Sequence, residues 1–465
     1  MARLPRKKNG KTHGNQHQTT PPMVAGEPYT GPSLGQFAGA RAARAWGERL
    51  LRDIADYKAG RIRWEDVDRG AVLTGPTGTG KTTLVRAIAA ATGLPLTITS
   101  YREWMCVREG YQGNMMQAMQ ELFTKAMSQS PCIILIDELD SLPVRASARE
   151  HKDWYIGAVN ALLELLDGGA RREGVVVIGA CNDASRLDPA LVRPGRLERR
   201  IAFELPSIDD IAEILDFHAA GAVPKAALAE IAVLITGASG AQIEALVREA
   251  RRTARHDGRA MTTADLRSAA LGPADAIPAD LLRRTAIHEA GHAFAALRFG
   301  VARSVAVSLV RRDDSLGATR VERILQGQTR DVIDREIAVH LAGRAAEDVI
   351  LGSVSSGACG GEHSDLARAT DHATRLFAAY GLSDSGGLVW HGEAMREHLL
   401  LSQPQFNAEV RTILDRSYSL ATALVQRERD AFARLVEALV VSRGLNHAEI
   451  VALIGEPPEE PPKFH

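Results

Sequence analysis

The stretch Gly75-Pro76-Thr77-Gly78-Thr79-Gly80-Lys81-Thr82 constrains this chain most. It reads G-x-x-x-x-G-K-T. It follows the short apolar run Ala71-Val72-Leu73 and precedes a helix-like segment over 83–91. A strand, a glycine-rich turn and a helix in that order form a phosphate cradle. The glycines let backbone N–H groups wrap phosphate oxygens at a helix N-terminus. Lys81 is then placed to reach the β and γ phosphates of ATP, and the Thr82 hydroxyl to bind Mg²⁺. A plain glycine-rich turn is the alternative, but it does not explain the order of elements around it.

Two further apolar runs behave as partner strands. The first, 133–136, ends in Asp137-Glu138. An acid at a buried strand's end suits Mg²⁺ coordination by Asp137, and Glu138 can polarise a water that attacks the γ-phosphate. The second, 175–180, leads to Asn182, an amide placed to hold that water, since ligands gather at strand ends in parallel α/β sheets. Next comes Leu191-Val192-Arg193-Pro194-Gly195-Arg196-Leu197-Glu198-Arg199-Arg200. This dense arginine cluster follows a nucleotide site that lacks its own transition-state cation, which suits an arginine finger from a neighbouring subunit.

A second chemistry lies downstream, in His288-Glu289-Ala290-Gly291-His292. Residues four apart share one helix face, so both imidazoles can meet one ion. Zinc takes neutral imidazole nitrogens, and a catalytic zinc keeps one position open for water. Glu289 can take the proton from a water attacking a peptide carbonyl. The flanks predict a helix. Pro278 suits its first turn, while Leu281, Leu282, Ala286, Ile287, Ala290 and Phe294 form an apolar face, and Gly300 is placed to end it. Gly291 is a poor helix former, so something other than propensity keeps or tolerates it.

The totals bound the alternatives. At 465 residues the chain exceeds one core, and about three domains are expected. A net charge of −1 argues against a broad nucleic-acid surface. Cys106, Cys132, Cys181 and Cys359 show no C-x-x-C spacing, which suits reduced thiols in a cytoplasmic setting. No apolar run approaches the roughly 18 residues of a membrane helix, and no signal peptide is visible. Arg3, Arg6, Lys7, Lys8 and Lys11 form a basic cluster that suits a solvated tail and leaves contact with anionic lipid or nucleic acid open.

Taken together, the P-loop, the Asp-Glu strand end, Asn182 and R-P-G-R resemble the AAA+ ATPases. With H-E-A-G-H behind them, they resemble the FtsH family of ATP-dependent zinc metalloproteases, over about residues 70–455. The resemblance implies a homo-hexameric ring with ATP at subunit interfaces and Arg193 and Arg196 reaching into the neighbour's site. It implies an aromatic pore residue gripping polypeptide substrates, which maps to Tyr111 by spacing from Glu121-Leu122-Phe123. Gln112 departs from the family's apolar residue there. Gly237-Ala238-Ser239-Gly240-Ala241-Gln242 resembles the family's lid motif, which would put Gly240 and Ala241 near the adenine; Gln242 replaces the usual Asp. Leu316-Gly317-Ala318-Thr319 resembles the strand beside the peptidase cleft. The family's third zinc ligand is an Asp on a downstream helix, and Asp365 matches it. Cys359, Glu362 and His363, on a longer glycine-rich loop before it, also have zinc-binding chemistry. Asp365 is preferred because a ligand on a packed helix is better held.

The fold expected is an α/β P-loop AAA+ ATPase domain with a helical lid, followed by a mostly α-helical zinc metallopeptidase domain. The expected bounds are a disordered basic tail over 1–34, the ATPase core over 35–205, the lid over 206–272, the M41-like peptidase over 278–455 and a disordered tail over 456–465. The expected function is ATP-dependent zinc metalloendopeptidase, with Zn²⁺, ATP and Mg²⁺ as cofactors. The rival readings are a remodelling ATPase with an inactive peptidase-like domain, and a nucleic-acid motor, which the net charge and R-P-G-R oppose. The membrane helices usual in FtsH-type proteases are not found, so a cytoplasmic protein is expected. Membrane contact through the tail or a partner, and adaptor use, stay open.

Overall fold

The computed structural model describes residues 29–106, 112–142, 152–167, 172–272, 277–311, 316–324, 327–356, 364–382, 389–390 and 404–458. They divide into two compact units, Met1–Phe203 and Glu204–His465.

The first unit is built on five parallel strands, β1 (Gly70–Thr74), β2 (Leu96–Ser100), β3 (Cys132–Asp137), β4 (Val175–Cys181) and β5 (Arg199–Ala202), in the order β2-β3-β4-β1-β5. The helices of this unit are α1 (Arg41–Lys58), α2 (Lys81–Thr92), α3 (Tyr101–Cys106), α4 (Gln112–Met127) and α5 (Lys152–Asp167). β3 and β4 are near-continuous Ile, Leu and Val because both faces of a parallel sheet are covered. Alternate residues serve opposite layers. Ile133 and Leu135 join Trp46, Leu50 and Ile88 in one core, whereas Ile134 and Ile136 join Trp104, Phe123 and Leu162 in the other. Leu34 and Phe37 are already buried in the first of these cores. Since β1, β4 and β3 are adjacent and parallel, their C-terminal ends share one edge. Residues far apart in sequence, at 75–82, 137–138 and 182, are thereby gathered.

The second unit begins with four helices, α6 (Ile208–Ala219), α7 (Lys225–Leu234), α8 (Gly240–His256) and α9 (Thr263–Leu271), around Ile211, Leu215, Ile231, Ile243 and Leu266. Helix α8 starts on a capping box, in which the Ser239 N–H donates to Gln242 Oε1 at 2.9 Å and Gln242 N–H to Ser239 Oγ at 3.4 Å. Gln242, the departure noted in the sequence, thus caps the helix.

Farther along lie the long helices α10 (Ala279–Arg298) and α11 (Arg330–Leu351), then α12 (Asp365–Ala378), α13 (Pro404–Arg427), α14 (Arg429–Ser442) and α15 (His447–Ile454). A small antiparallel sheet, β7-β6-β8, covers α10; its strands are β6 (Ala302–Ser308), β7 (Ala318–Arg323) and the two-residue β8 (Gly444–Leu445). β7 is therefore an edge strand. The core centres on Phe294 of α10, which meets Phe432 of α14 edge to face at 5.6 Å. Both rings are fully buried. Phe432→Ala removes that contact and leaves a cavity, so the second unit should lose about 3–5 kcal/mol of stability, measured as a lower urea midpoint for its unfolding.

Candidate active sites

At the shared strand edge of the first unit, β1 runs into the P-loop and α2 begins at Lys81. Gly80 N-caps α2 with φ 96°, a left-handed conformation that favours glycine. Lys81 is buried, and its ammonium donates to Pro76 O at 3.0 Å and Asn182 Oδ1 at 3.1 Å. Burial lowers its pKa, and Asp137 and Asp140 oppose that shift. A cation held here among carbonyls is poised for phosphate. The Thr82 hydroxyl donates to Asp137 Oδ2 at 3.1 Å, which brings the two expected Mg²⁺ ligands into contact. Glu138 has φ 51°, the left-handed region, and its N–H donates to Asp137 Oδ1 at 2.9 Å. Such strain in a non-glycine residue clusters at functional sites.

Asp140, which sequence reasoning passed over, accepts the N–H groups of Asn182 (3.0 Å) and Asp183 (3.2 Å) and so fixes the end of β4. Its signal was the second acid three residues after Asp137. The two arginines of R-P-G-R differ. Arg193 is exposed. Arg196 is half-buried, paired with both carboxylate oxygens of Asp167 and donating to Ala190 O at 2.6 Å. Gly240 and Ala241 open α8 in the second unit. Tyr111 lies outside the described residues.

The second site lies where α10, α11 and the start of α12 meet. His288 Nε2 and His292 Nε2 are 3.1 Å apart, and Asp365 Oδ2 is 3.3 Å from the first and 3.2 Å from the second. Four-coordinate zinc with bonds of about 2.0–2.1 Å sets its ligand atoms roughly 3.4 Å apart. The triangle fits that ion. Ser364 caps α12 through its hydroxyl, which accepts Ala367 N–H at 3.3 Å, and this fixes Asp365 in the first turn. Cys359, Glu362 and His363 lie outside the described residues.

The outer nitrogens decide the tautomers. His288 Nδ1–H donates to Glu347 Oε1 and His292 Nδ1–H to Val339 O, both at 2.8 Å. Both acceptors require a proton on Nδ1, so Nε2 is the nitrogen that each ring has left for a metal at the triangle's centre. Burial would depress the His288 pKa, but Asp365 and Glu347 push it up to about 10. Burial would likewise raise Asp365, yet His288 and His292 hold it well below the carboxylate range. Without a metal ion His288 thus keeps a second proton, on the Nε2 that faces Asp365, and a cation bound here would replace it. Glu347 was not singled out in the sequence. It is fully buried, and Arg284 Nη1 (2.6 Å), Ser355 N–H (2.9 Å) and Ser355 Oγ–H (2.9 Å) also donate to it, so it stays ionised. An acid inside the largely apolar run 337–346 and its continuation was the available signal.

Glycine makes the room. A Cβ on Gly343 would lie 2.6 Å from both His288 Cε1 and His292 Nε2, and one on Gly291 would lie 2.5 Å from Ala342 O. The poor helix former in H-E-A-G-H is thus explained by the close crossing of α10 and α11.

Comparison with known proteins bears on both sites. Residues 71–205 match the ATPase family associated with various cellular activities (AAA), and residues 277–453 match Peptidase family M41. The ATP-dependent zinc metalloprotease FtsH of Thermobaculum terrenum is 32% identical over 442 residues, covering 88% of this chain and 67% of the relative. That of Thermus thermophilus is 32% identical over 92% of this chain and 71% of its own length. FtsH 3 of Sphaerobacter thermophilus is 33% identical over 89% and 85%. The chain belongs to the FtsH family.

Its fold is that of an FtsH-type protein, a parallel α/β AAA domain followed by a mostly helical M41 domain. No helix among the described residues is long and apolar enough to cross a membrane. Since Glu347 orients His288 from behind, Glu347→Gln should weaken zinc binding about 10–100-fold, measured by competition with a chelating dye.

Proposed function

We infer that this chain is an ATP-dependent zinc metalloendopeptidase that unfolds, threads and degrades polypeptides. The observation that carries this reading is the triangle of His288, His292 and Asp365, with edges of 3.1–3.3 Å and the Nδ1 of each histidine turned away to an oxygen acceptor. A peptidase-like domain kept only as a scaffold has no need of such a charged arrangement, and membership of the FtsH family supports the active reading.

Zinc, when bound, supplies Lewis acidity toward water and the scissile carbonyl. Glu289, one residue after the first ligand, accepts the proton of the attacking water and returns it to the leaving amine. In the nucleotide site, the loop from Gly75 to Thr82 would hold the phosphates, with Lys81 neutralising them, and Thr82 with Asp137 would hold Mg²⁺. Glu138 activates the hydrolytic water and Asn182 orients it. Exposed Arg193 is the readier finger for a neighbouring subunit; Arg196 would have to leave Asp167 to join it. By resemblance to the family, Gly240 and Ala241 are assigned to the adenine and Tyr111 to gripping the substrate.

The proposed assembly is the homo-hexamer that membership of the FtsH family implies, with the finger supplied by a neighbouring copy. The proposed bounds are 35–205 for the ATPase core, 206–272 for its lid and 278–455 for the peptidase, with tails over 1–34 and 456–465, except that Leu34 packs into the core and so belongs with it. Free thiols at Cys106, Cys132 and Cys181 suit a cytoplasmic setting. Delivery by an adaptor, and docking on a membrane through the basic segment or a partner, are compatible with this reading.

Casein degradation tests the proposal. Glu289→Gln should cut the rate at least about 100-fold, the usual scale for a general base, while ATP hydrolysis continues; degradation at the unaltered rate would sink the assigned role. Chelating zinc should abolish cleavage. Glu138→Gln should stop both ATP turnover and degradation while nucleotide binding persists, measured with a fluorescent ATP analogue.

A further inference from the structure

Strand β7 lies against α10 at the position of Glu289. The Thr319 Oγ is 2.6 Å from Glu289 Oε2 and 3.0 Å from the main-chain oxygen of the same residue. A threonine hydroxyl has one proton to give. The carboxylate is the nearer and the charged acceptor, so the proton lies toward Oε2, in a charge-assisted bond.

A second observation comes two residues earlier. Gly317 is buried, and a Cβ there would lie 2.9 Å from both Glu289 Cγ and Thr285 Cγ2, and 3.1 Å from Glu289 Oε1. The chain can run this close to α10 only where it carries no side chain. Gly317 and Thr319 therefore frame one carboxylate, the first by shape and the second by a hydrogen bond. The β6–β7 ladder, with Thr319 opposite Val307 and Ala318 opposite Ser308, fixes the register that puts the hydroxyl there.

We propose that Thr319 is a positioning residue for Glu289. This rests on the reading of Glu289 as the general base. A glutamate side chain has three rotatable bonds, and a base must be held within hydrogen-bond reach of the proton it takes. Donation from Thr319 engages Oε2 and so fixes the carboxylate's orientation, leaving Oε1 to receive the proton from water. Both contacts of the hydroxyl are to Glu289, so it acts through that residue.

The test compares Thr319→Val, Thr319→Ser and Glu289→Gln in the full-length chain, with an unstructured fluorogenic peptide, ATP and Zn²⁺. Valine keeps the β-branched shape that suits the strand and removes the donor; serine keeps the donor. Thr319→Val should lower kcat about ten- to hundred-fold, the scale of a misplaced catalytic group. KM should change less than about twofold, with bound zinc and ATP turnover intact, and Thr319→Ser should recover most of kcat. The proposal is overturned if Thr319→Val keeps the unaltered kcat, if its loss appears in KM, bound zinc or ATP turnover, or if Thr319→Ser falls as far as valine. Unimpaired cleavage by Glu289→Gln would remove the base itself, and Thr319's role with it. A silent Glu289→Gln beside a fully active Thr319→Val would refute the positioning role alone.

Discussion

The close crossing of α10 and α11 is the constraint on which the peptidase centre depends. Gly291 lets α10 approach the Ala342 carbonyl, and Gly343 leaves the volume in which two imidazoles and a carboxylate converge. Once the helices are that close, α11 can reach the outer nitrogens of both histidines, through Val339 O and Glu347. Packing and electrostatics are then one matter. The contact that excludes side chains also places a buried acid behind His288 and an amide carbonyl behind His292.

The nucleotide site has a different architecture. Its parts sit on strand ends, and the order β3-β4-β1 brings them side by side. Thr82 meets Asp137, Lys81 meets Asn182, and Asp140 holds the backbone of Asn182, all across gaps of dozens of residues. Parallel strands with both faces covered set these ends side by side. Among the described residues of this edge, Glu138 is the non-glycine residue with left-handed backbone, and it is the residue assigned to activate water.

Much of this was legible because the chemistry is written locally. G-x-x-x-x-G-K-T and H-E-x-x-H each lie within one turn or one helix, where spacing alone fixes which side chains share a face. Strands β3 and β4 were legible as apolar runs, and α10 as an apolar face between Pro278 and Gly300, except that Leu281, expected on that face, is exposed. Asp365 was reachable only through resemblance, because nothing in the spacing between residues 292 and 365 says that α12 returns to α10. Glu347, Asp140 and Thr319 were not assigned functions, since each acts on a partner between 30 and 59 residues away and has no local motif.

The sequence by itself determined the two chemistries, the residues that hold phosphate and the pair of histidines aimed at one ion, because helix and turn geometry repeat every few residues. Only the tertiary structure decided how those residues are tuned. It selected the Nε2 lone pairs by what lies behind each ring, separated an exposed Arg193 from an Arg196 bound to Asp167, and brought the hydroxyl of Thr319 to Glu289. These are contacts between elements, and which elements meet is set by the packing of whole faces rather than by any short run of residues.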